Sequence, residues 1–248
     1  MTRTLRAVWR LLRCVVHGLH GLAIVLTRFS AFDAAQRQVH IQWWATKMLR
    51  TMGIALRIEG APHLGGTLLV ANHISWLDIM AVHAVCPQAR FVSKADVRSW
   101  PLLSRLVDAA GTLYLERERK RDALRVVHVM AQALTAGEIV AVFPEGTTSD
   151  GHTLLPFHAN LLQAAIATGT TVQPVALRFS DAHDPVSRAV EFVGDTTLLQ
   201  SLWRVAGGDG VVVCVQLLPP QPSSGADRRE LAAHLRGRIE AALTQALP

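Results

Sequence analysis

The chain has 248 residues, half of them hydrophobic and only 18 % charged, which is more apolar than one water-soluble domain needs for its core. Its formal charge is +6, yet Arg3, Arg6, Arg10, Arg13, Arg28, Arg37, Lys47 and Arg50 face Asp33 alone in residues 1–50, so the excess sits in one fifth of the chain. Cations interleaved with Leu, Val and Trp suit an anionic lipid surface and argue against nucleic acid. Cys14, Cys86 and Cys214 are odd in number and widely spaced, so they form neither a disulfide framework nor a metal site; they read as small buried hydrophobes in a reducing compartment.

In residues 3–13 the arginines recur every three or four positions and share one helical face. The uncharged stretch that follows, 14–27, falls short of the ~20 residues that span a bilayer. A basic flank before a short apolar core also fits a signal peptide, but no small-x-small cleavage site closes it. We read an amphipathic helix lying in the membrane interface. Residues 33–52 carry a second helical pattern, in which Trp43-Trp44, Lys47 and Arg50 suit the headgroup zone. The alternative for both helices is a hairpin packed on a globular domain. Gly53 closes the pattern, so residues 1–52 are expected to be a membrane-associated helical pair and 53–248 an α/β domain.

Beyond Gly53 short β-rich runs alternate with helical ones. Strands are predicted at 54–58, 67–70, 90–92, 112–115, 138–143, 172–179, 190–193 and 211–218. Helices are predicted from Ile79 to Val85 and over 119–136, 160–167 and 227–247. Alternation of this kind indicates a layered α/β fold, a largely parallel mixed sheet flanked by helices and preceded by the N-terminal helical pair.

The stretch Ala71-Asn72-His73-Ile74-Ser75-Trp76-Leu77-Asp78 joins a predicted buried strand to a short helix. Ser75 and Asp78, three apart, form an acidic variant of the capping box. His73 then lies in the turn and Asp78 in the first helical turn. On one continuous helix the two would point about 140° apart, but across a turn they can meet. An imidazole held by a carboxylate is a competent general base near neutral pH; taken alone, the pair also fits a turn histidine and a capping acid. Arg117 follows a predicted strand at its C-terminal end, where α/β sheets place ligands, and a guanidinium there can grip a phosphate. Arg119, Lys120 and Arg121 beside it read as a solvated helix start. In Phe143-Pro144-Glu145-Gly146-Thr147-Thr148-Ser149 an irregular turn leaves backbone N–H groups open to an anion. Glu145 would repel a phosphate there unless it accepts from a substrate hydroxyl or orients Arg117, and the segment can also be only a turn. Pro174 fits a strand-entry position.

Taken in order, Asn72-His73-x-Ser75-x-x-Asp78, Gly111-x-x-Tyr114-Leu115-x-Arg117, Phe143-Pro144-Glu145-Gly146-Thr147 and Val172-x-Pro174-Val175 resemble the four blocks of the glycerolipid acyltransferases, the lysophosphatidic acid acyltransferases in particular. The resemblance runs from about Ile54 to Leu218. Lys94-Ala95-Asp96, Trp100-Pro101 and Leu155-Pro156-Phe157 agree with it, although many relatives carry Glu where this chain has Asp96. The resemblance implies that His73, held by Asp78, takes the proton from a glycerol hydroxyl, which attacks the thioester of acyl-CoA or an acyl carrier protein. It implies no acyl-enzyme, metal or organic cofactor, and the chain has no Gly-x-Ser-x-Gly elbow.

Arg117 with Glu145, Gly146 and Thr147 would hold the phosphate of a lysophospholipid acceptor, 1-acyl-glycerol-3-phosphate first. A lyso-ornithine lipid, another lysolipid or glycerol 3-phosphate is the alternative acceptor, and a non-catalytic membrane-binding protein the alternative class. A backbone N–H near His73, or Lys94, would meet the oxyanion. Leu102-Leu103 and Leu161-Leu162 line an acyl groove or belong to the core. The N-terminal helices would hold the enzyme at the anionic, cytoplasmic face of the inner membrane.

Overall fold

The computed structural model describes residues 2–94, 101–115 and 120–245. The two N-terminal amphipathic patterns form α1 (Arg3–Thr27) and α2 (Ala34–Met52), joined by a 3₁₀ turn at Phe29–Ala31. A reciprocal cap starts α2: the Gln36 amide N–H donates to the Asp33 carboxylate at 2.8 Å, and the Asp33 N–H donates to Gln36 Oε1 at 3.0 Å. Such a box satisfies two N–H groups that a helix start leaves open. Gly53 ends α2 in the left-handed region at φ 82°, and a Cβ there would lie 2.0 Å from the Arg10 guanidinium. Only glycine meets both demands.

Among the described residues seven strands follow: β1 (Ile54–Glu59), β2 (Thr67–Ala71), β3 (Arg90–Lys94), β4 (Leu113–Leu115), β5 (Ile139–Val142), β6 (Thr171–Ser180) and β7 (Val211–Leu217). They form one sheet in the order β1-β7-β6-β2-β5-β3-β4, parallel throughout except for the antiparallel pair β6–β7. The remaining helices are α3 (Leu77–Val85), α4 (Pro101–Ala109), α5 (Lys120–Thr135), α6 (Gln163–Thr168), α7 (Leu198–Gly207) and α8 (Arg228–Thr244). This is the expected layered α/β arrangement with a largely parallel sheet.

Strand β2 is buried along its whole length, as a central parallel strand must be. Because side chains alternate, Leu69 and Ala71 join the core with Leu49, Leu77 and Val205, while Leu68 and Val70 join Met130, Leu162 and Leu235. Helices α1, α2, α3 and α7 therefore cover one face, and α5, α6 and α8 the other. Strands β2 and β5 run side by side, Val70 in register with Val142, and their C-terminal ends open together.

Two expectations change. Residues 190–193 form no strand; Val190 is a fully buried plug, and the Phe192 carbonyl accepts from the Thr148 hydroxyl. A short apolar run fits a strand or a core-filling loop equally, and β6 already has neighbours on both sides. Helices α4 and α7 are absent from the expected elements, although the start of α7 is written in Thr197 and Gln200. Their side chains and backbone N–H groups exchange hydrogen bonds at 3.3 and 2.9 Å.

The arginine stripe of α1 does not all face outward. Arg10 donates to the carbonyls of Ala206 and Gly208 at 3.1 and 2.6 Å, and Arg6 to that of Gly207 at 3.0 Å. Arg6 also pairs with Asp209 at 2.7 Å. The last carbonyls of α7 have no intrahelical donors and carry the negative end of its dipole, so two cations of α1 settle there. The opposite face of α1 exposes Leu5, Val8, Trp9, Leu12, Val15, Val16, Leu19 and Leu26. Replacing Arg10 with Ala leaves buried carbonyls unpaired and should lower the unfolding free energy by about 2 kcal/mol in a urea titration. Arg10→Lys should recover only part of this, since the ammonium sits one bond nearer the backbone than the Nη1 that makes both contacts.

Candidate active site

The strand β2 ends at Ala71, and the next residue fixes the direction of the turn. The buried Asn72 side chain bridges to Leu177 on β6, its Oδ1 accepting from the Leu177 N–H at 2.7 Å and its Nδ2 donating to the Leu177 carbonyl at 2.9 Å. His73 follows. Its Nδ1 lies 2.7 Å from Asp78 Oδ2, across the turn as the spacing predicts. The same oxygen accepts from the backbone N–H groups of Ile74 and Ser75 at 2.7 and 2.9 Å. Asp78 is wholly buried in the first turn of α3, whereas the His73 side chain is 19 % exposed. The capping box is therefore half realised: the acid reaches back to the amides, but Ser75 Oγ has no partner among the described residues. One ring nitrogen thus faces a fixed carboxylate, and Nε2 lies across the imidazole from it.

The Phe143–Ser149 turn after β5 holds the backbone of His73. Glu145 Oε1 accepts from the His73 N–H at 2.6 Å, and Oε2 from the Leu155 N–H at 2.9 Å. Ser149 donates to the His73 carbonyl with its N–H at 2.8 Å and its hydroxyl at 3.1 Å. The Phe143 ring stacks on the His73 imidazole, centroids 4.0 Å apart and planes within 7°. Gly146 turns the chain at φ 72°, and a Cβ there would press the His158 ring at 3.0 Å.

Burial pushes the Glu145 carboxyl above its usual range, against the pull of the Leu155 and His73 amides. Sequence reasoning aimed this carboxylate at a substrate hydroxyl or at Arg117; both of its oxygens hold backbone instead. Thr147 lies exposed on the same turn. Lys94 ends β3, paired with Leu115 of β4. Arg117 lies outside the described residues. The amides of residues 73, 74 and 75 are all engaged by Glu145 or Asp78, so none of the three is free to meet an oxyanion.

Next to this site lies an almost wholly apolar cavity of about 680 Å³ between α1, α2, α3, α4 and the loop before α7. Val15, Met48, Trp76, Met80, Phe91 and Leu106 are among its walls. Phe91 stacks on Phe143 at 5.4 Å, so a column of rings leads from His73 to the cavity. Leu161-Leu162 does not line it; Leu162 is fully buried on the opposite face of the sheet, which makes that run core.

A model of the family described as Acyltransferase matches residues 54–178. The chain belongs to the acyltransferase family. Its similarity to a lyso-ornithine lipid O-acyltransferase of Pseudomonas aeruginosa is 37 % identity, covering 94 % of this acyltransferase and 91 % of the relative. A 1-acyl-sn-glycerol-3-phosphate acyltransferase of Neisseria gonorrhoeae is 39 % identical over 62 % of this chain and 60 % of its own. The crystal structure of the 1-acyl-sn-glycerophosphate acyltransferase PlsC of Thermotoga maritima superposes with a TM-score of 0.73 at 18 % identity, covering 97 % of this chain and 95 % of that one. That last likeness speaks to the shared fold.

Replacing Glu145 with Ala would strand two N–H groups, one of them that of His73. We expect the acyltransferase to lose about 3 kcal/mol of stability in chemical unfolding, and turnover to fall by up to about 10²-fold as the turn shifts. Glu145→Gln keeps one acceptor oxygen and should fall between.

Proposed function

We propose that this acyltransferase moves a fatty acyl group from a thioester, acyl-CoA or an acyl carrier protein, to the free hydroxyl of a lysophospholipid. His73 is the general base and Asp78 the group that orients it. The observation carrying this reading is the 2.7 Å contact between His73 Nδ1 and a buried Asp78 oxygen that two backbone amides hold in place. With Nδ1–H donating to Asp78, the lone pair of Nε2 accepts the hydroxyl proton. The acceptor oxygen then bonds to the thioester carbonyl carbon, the tetrahedral intermediate expels the thiolate, and the imidazolium returns the proton to sulfur. Asp78 steadies the positive ring between the two transfers.

The acceptor proposed is 1-acyl-glycerol-3-phosphate, with Arg117 and the Gly146-Thr147 turn to hold its phosphate and Lys94 to meet the oxyanion. A lyso-ornithine lipid is a second reading, favoured because the Pseudomonas relative aligns over 94 % of the chain and the Neisseria relative over 62 %. In a purified assay with labelled acyl donor and a panel of lysolipids, His73→Ala should cost about 10²- to 10⁴-fold in turnover, and activity near the unaltered level would refute the base assignment. In the same assay Arg117→Ala should abolish use of a phosphate-bearing acceptor; retention of full activity on a zwitterionic lysolipid would select the second reading.

Residues 1–52 would serve as the membrane-associated layer and 53–248 as the part that carries the chemistry, at the cytoplasmic face of the inner membrane. By length and composition α1 could cross a bilayer. The reading that it lies flat rests on its two faces: Ala7 and Leu22 are buried and Arg6 and Arg10 are tied to α7, while the outer stripe is apolar. Deleting the segment would also remove Ala7, Ala45 and Leu49 from the core. The cleaner test is Leu12→Glu with Val16→Glu, both exposed. Flotation with phosphatidylethanolamine–phosphatidylglycerol vesicles should show loss of binding with the fold intact, and tight binding by the double variant would overturn the anchor.

A further inference from the structure

Along α3, Trp76, Ile79, Met80 and His83 recur at helical spacing and all line the apolar cavity, so one face of the helix forms a continuous wall that starts three residues after His73. Three members of this face suit a fatty chain. His83 does not. It is 3 % exposed, packs edge-on against Phe91 at a centroid distance of 5.1 Å, and its Nδ1 has no hydrogen-bond partner among the described residues. Leu or Phe would fill the same wall without leaving a buried polar atom unpaired, which costs about as much as a lost hydrogen bond.

We propose that His83 is a hydrogen-bonding subsite for a hydroxyl carried part-way along the fatty acyl chain. The inference rests on the reading above, that this cavity takes the acyl chain being transferred. The ring stays uncharged near neutral pH, because burial lowers its pKa to about 4, against a hydrogen bond donated by the ring to the Pro87 backbone carbonyl, which raises it. With the single N–H of the neutral ring given to that carbonyl, the free Nδ1 is an acceptor, and a hydroxyl can donate to it. A chain without one leaves Nδ1 as it stands.

Depth sets which hydroxyl. His83 lies seven residues beyond Trp76, or about 10 Å along the helix. That distance corresponds to roughly eight bonds of an extended chain, each advancing ~1.25 Å. The favoured substituent is thus mid-chain, well past the carbons next to the thioester.

The test compares stearoyl, 3-hydroxystearoyl and 10-hydroxystearoyl chains, each offered as the CoA and the acyl carrier protein thioester, on the unaltered enzyme, His83→Leu and His83→Gln. Stearoyl transfer by the unaltered enzyme examines the underlying acyl-transfer reading by itself. The subsite predicts that kcat/KM for the 10-hydroxy chain exceeds that for stearoyl by about fivefold, with no such gain for the 3-hydroxy chain. In His83→Leu the ratio should fall to about one, and His83→Gln should keep part of it. Thermal melting checks that each variant is folded. An unaltered enzyme that does not distinguish the chains overturns the proposal whatever the variants do. So does a preference that survives His83→Leu, which would leave the imidazole as packing, or as the partner of a water alone.

Discussion

Everything about the candidate site depends on how firmly one residue's main chain is held. The N–H of His73 goes to Glu145 and its carbonyl to Ser149, both from the turn after the neighbouring strand. Asn72, just before it, is tied to β6, and Asp78, just after it, binds the next two amides. Three separate parts of the sheet thus converge on one turn, and the imidazole is left with little rotational choice: Asp78 takes one nitrogen and Phe143 covers one ring face. Preorganisation of this kind suits a base that must receive a proton at the moment a carbon–oxygen bond forms. It also explains a carboxylate in a place where an anionic headgroup was expected to bind, since Glu145 neutralises backbone donors rather than meeting ligand.

The N-terminal helices combine two functions that the sequence presents as alternatives, a helical hairpin packed on the fold and a lipid-facing surface. The inner side of α1 contributes Ala7 to the main core and two guanidinium groups to the end of α7, while its outer side stays apolar and uncovered. Alternation of arginine with leucine shows that a helix is amphipathic. It does not show whether the cations turn toward solvent, headgroups or, as for Arg6 and Arg10, the carbonyls of a helix two hundred residues away in the chain.

How much of the site can be read from residues alone follows the same division. The His73–Asp78 contact was legible, because a strand-to-helix turn makes five-residue spacing a meeting rather than a divergence. The partners of Glu145 were not, since both are backbone N–H groups and a main-chain donor leaves no mark in the amino-acid code. Helix α7 could have been found from Thr197 and Gln200, a capping box masked by the valine-rich runs around it. His83 sits inside an apolar run that reads as plain core, and only the lining of the cavity separates it from its neighbours.

The antiparallel pairing of β6 with β7, among strands that otherwise pair parallel, has a topographic effect. Because β1 and β7 run opposite to β2 and β5, the junctions that feed them, Gly53 after α2 and Gly208 after α7, emerge on the same rim of the sheet as His73. An all-parallel order would have sent them to the far rim, about 20 Å away for a six-residue strand. One reversed strand pair therefore sets the apolar helical layer and the His73 imidazole at a common level, which on the proposed reading lets an acceptor present its hydroxyl with its own tails still among their neighbours in the bilayer.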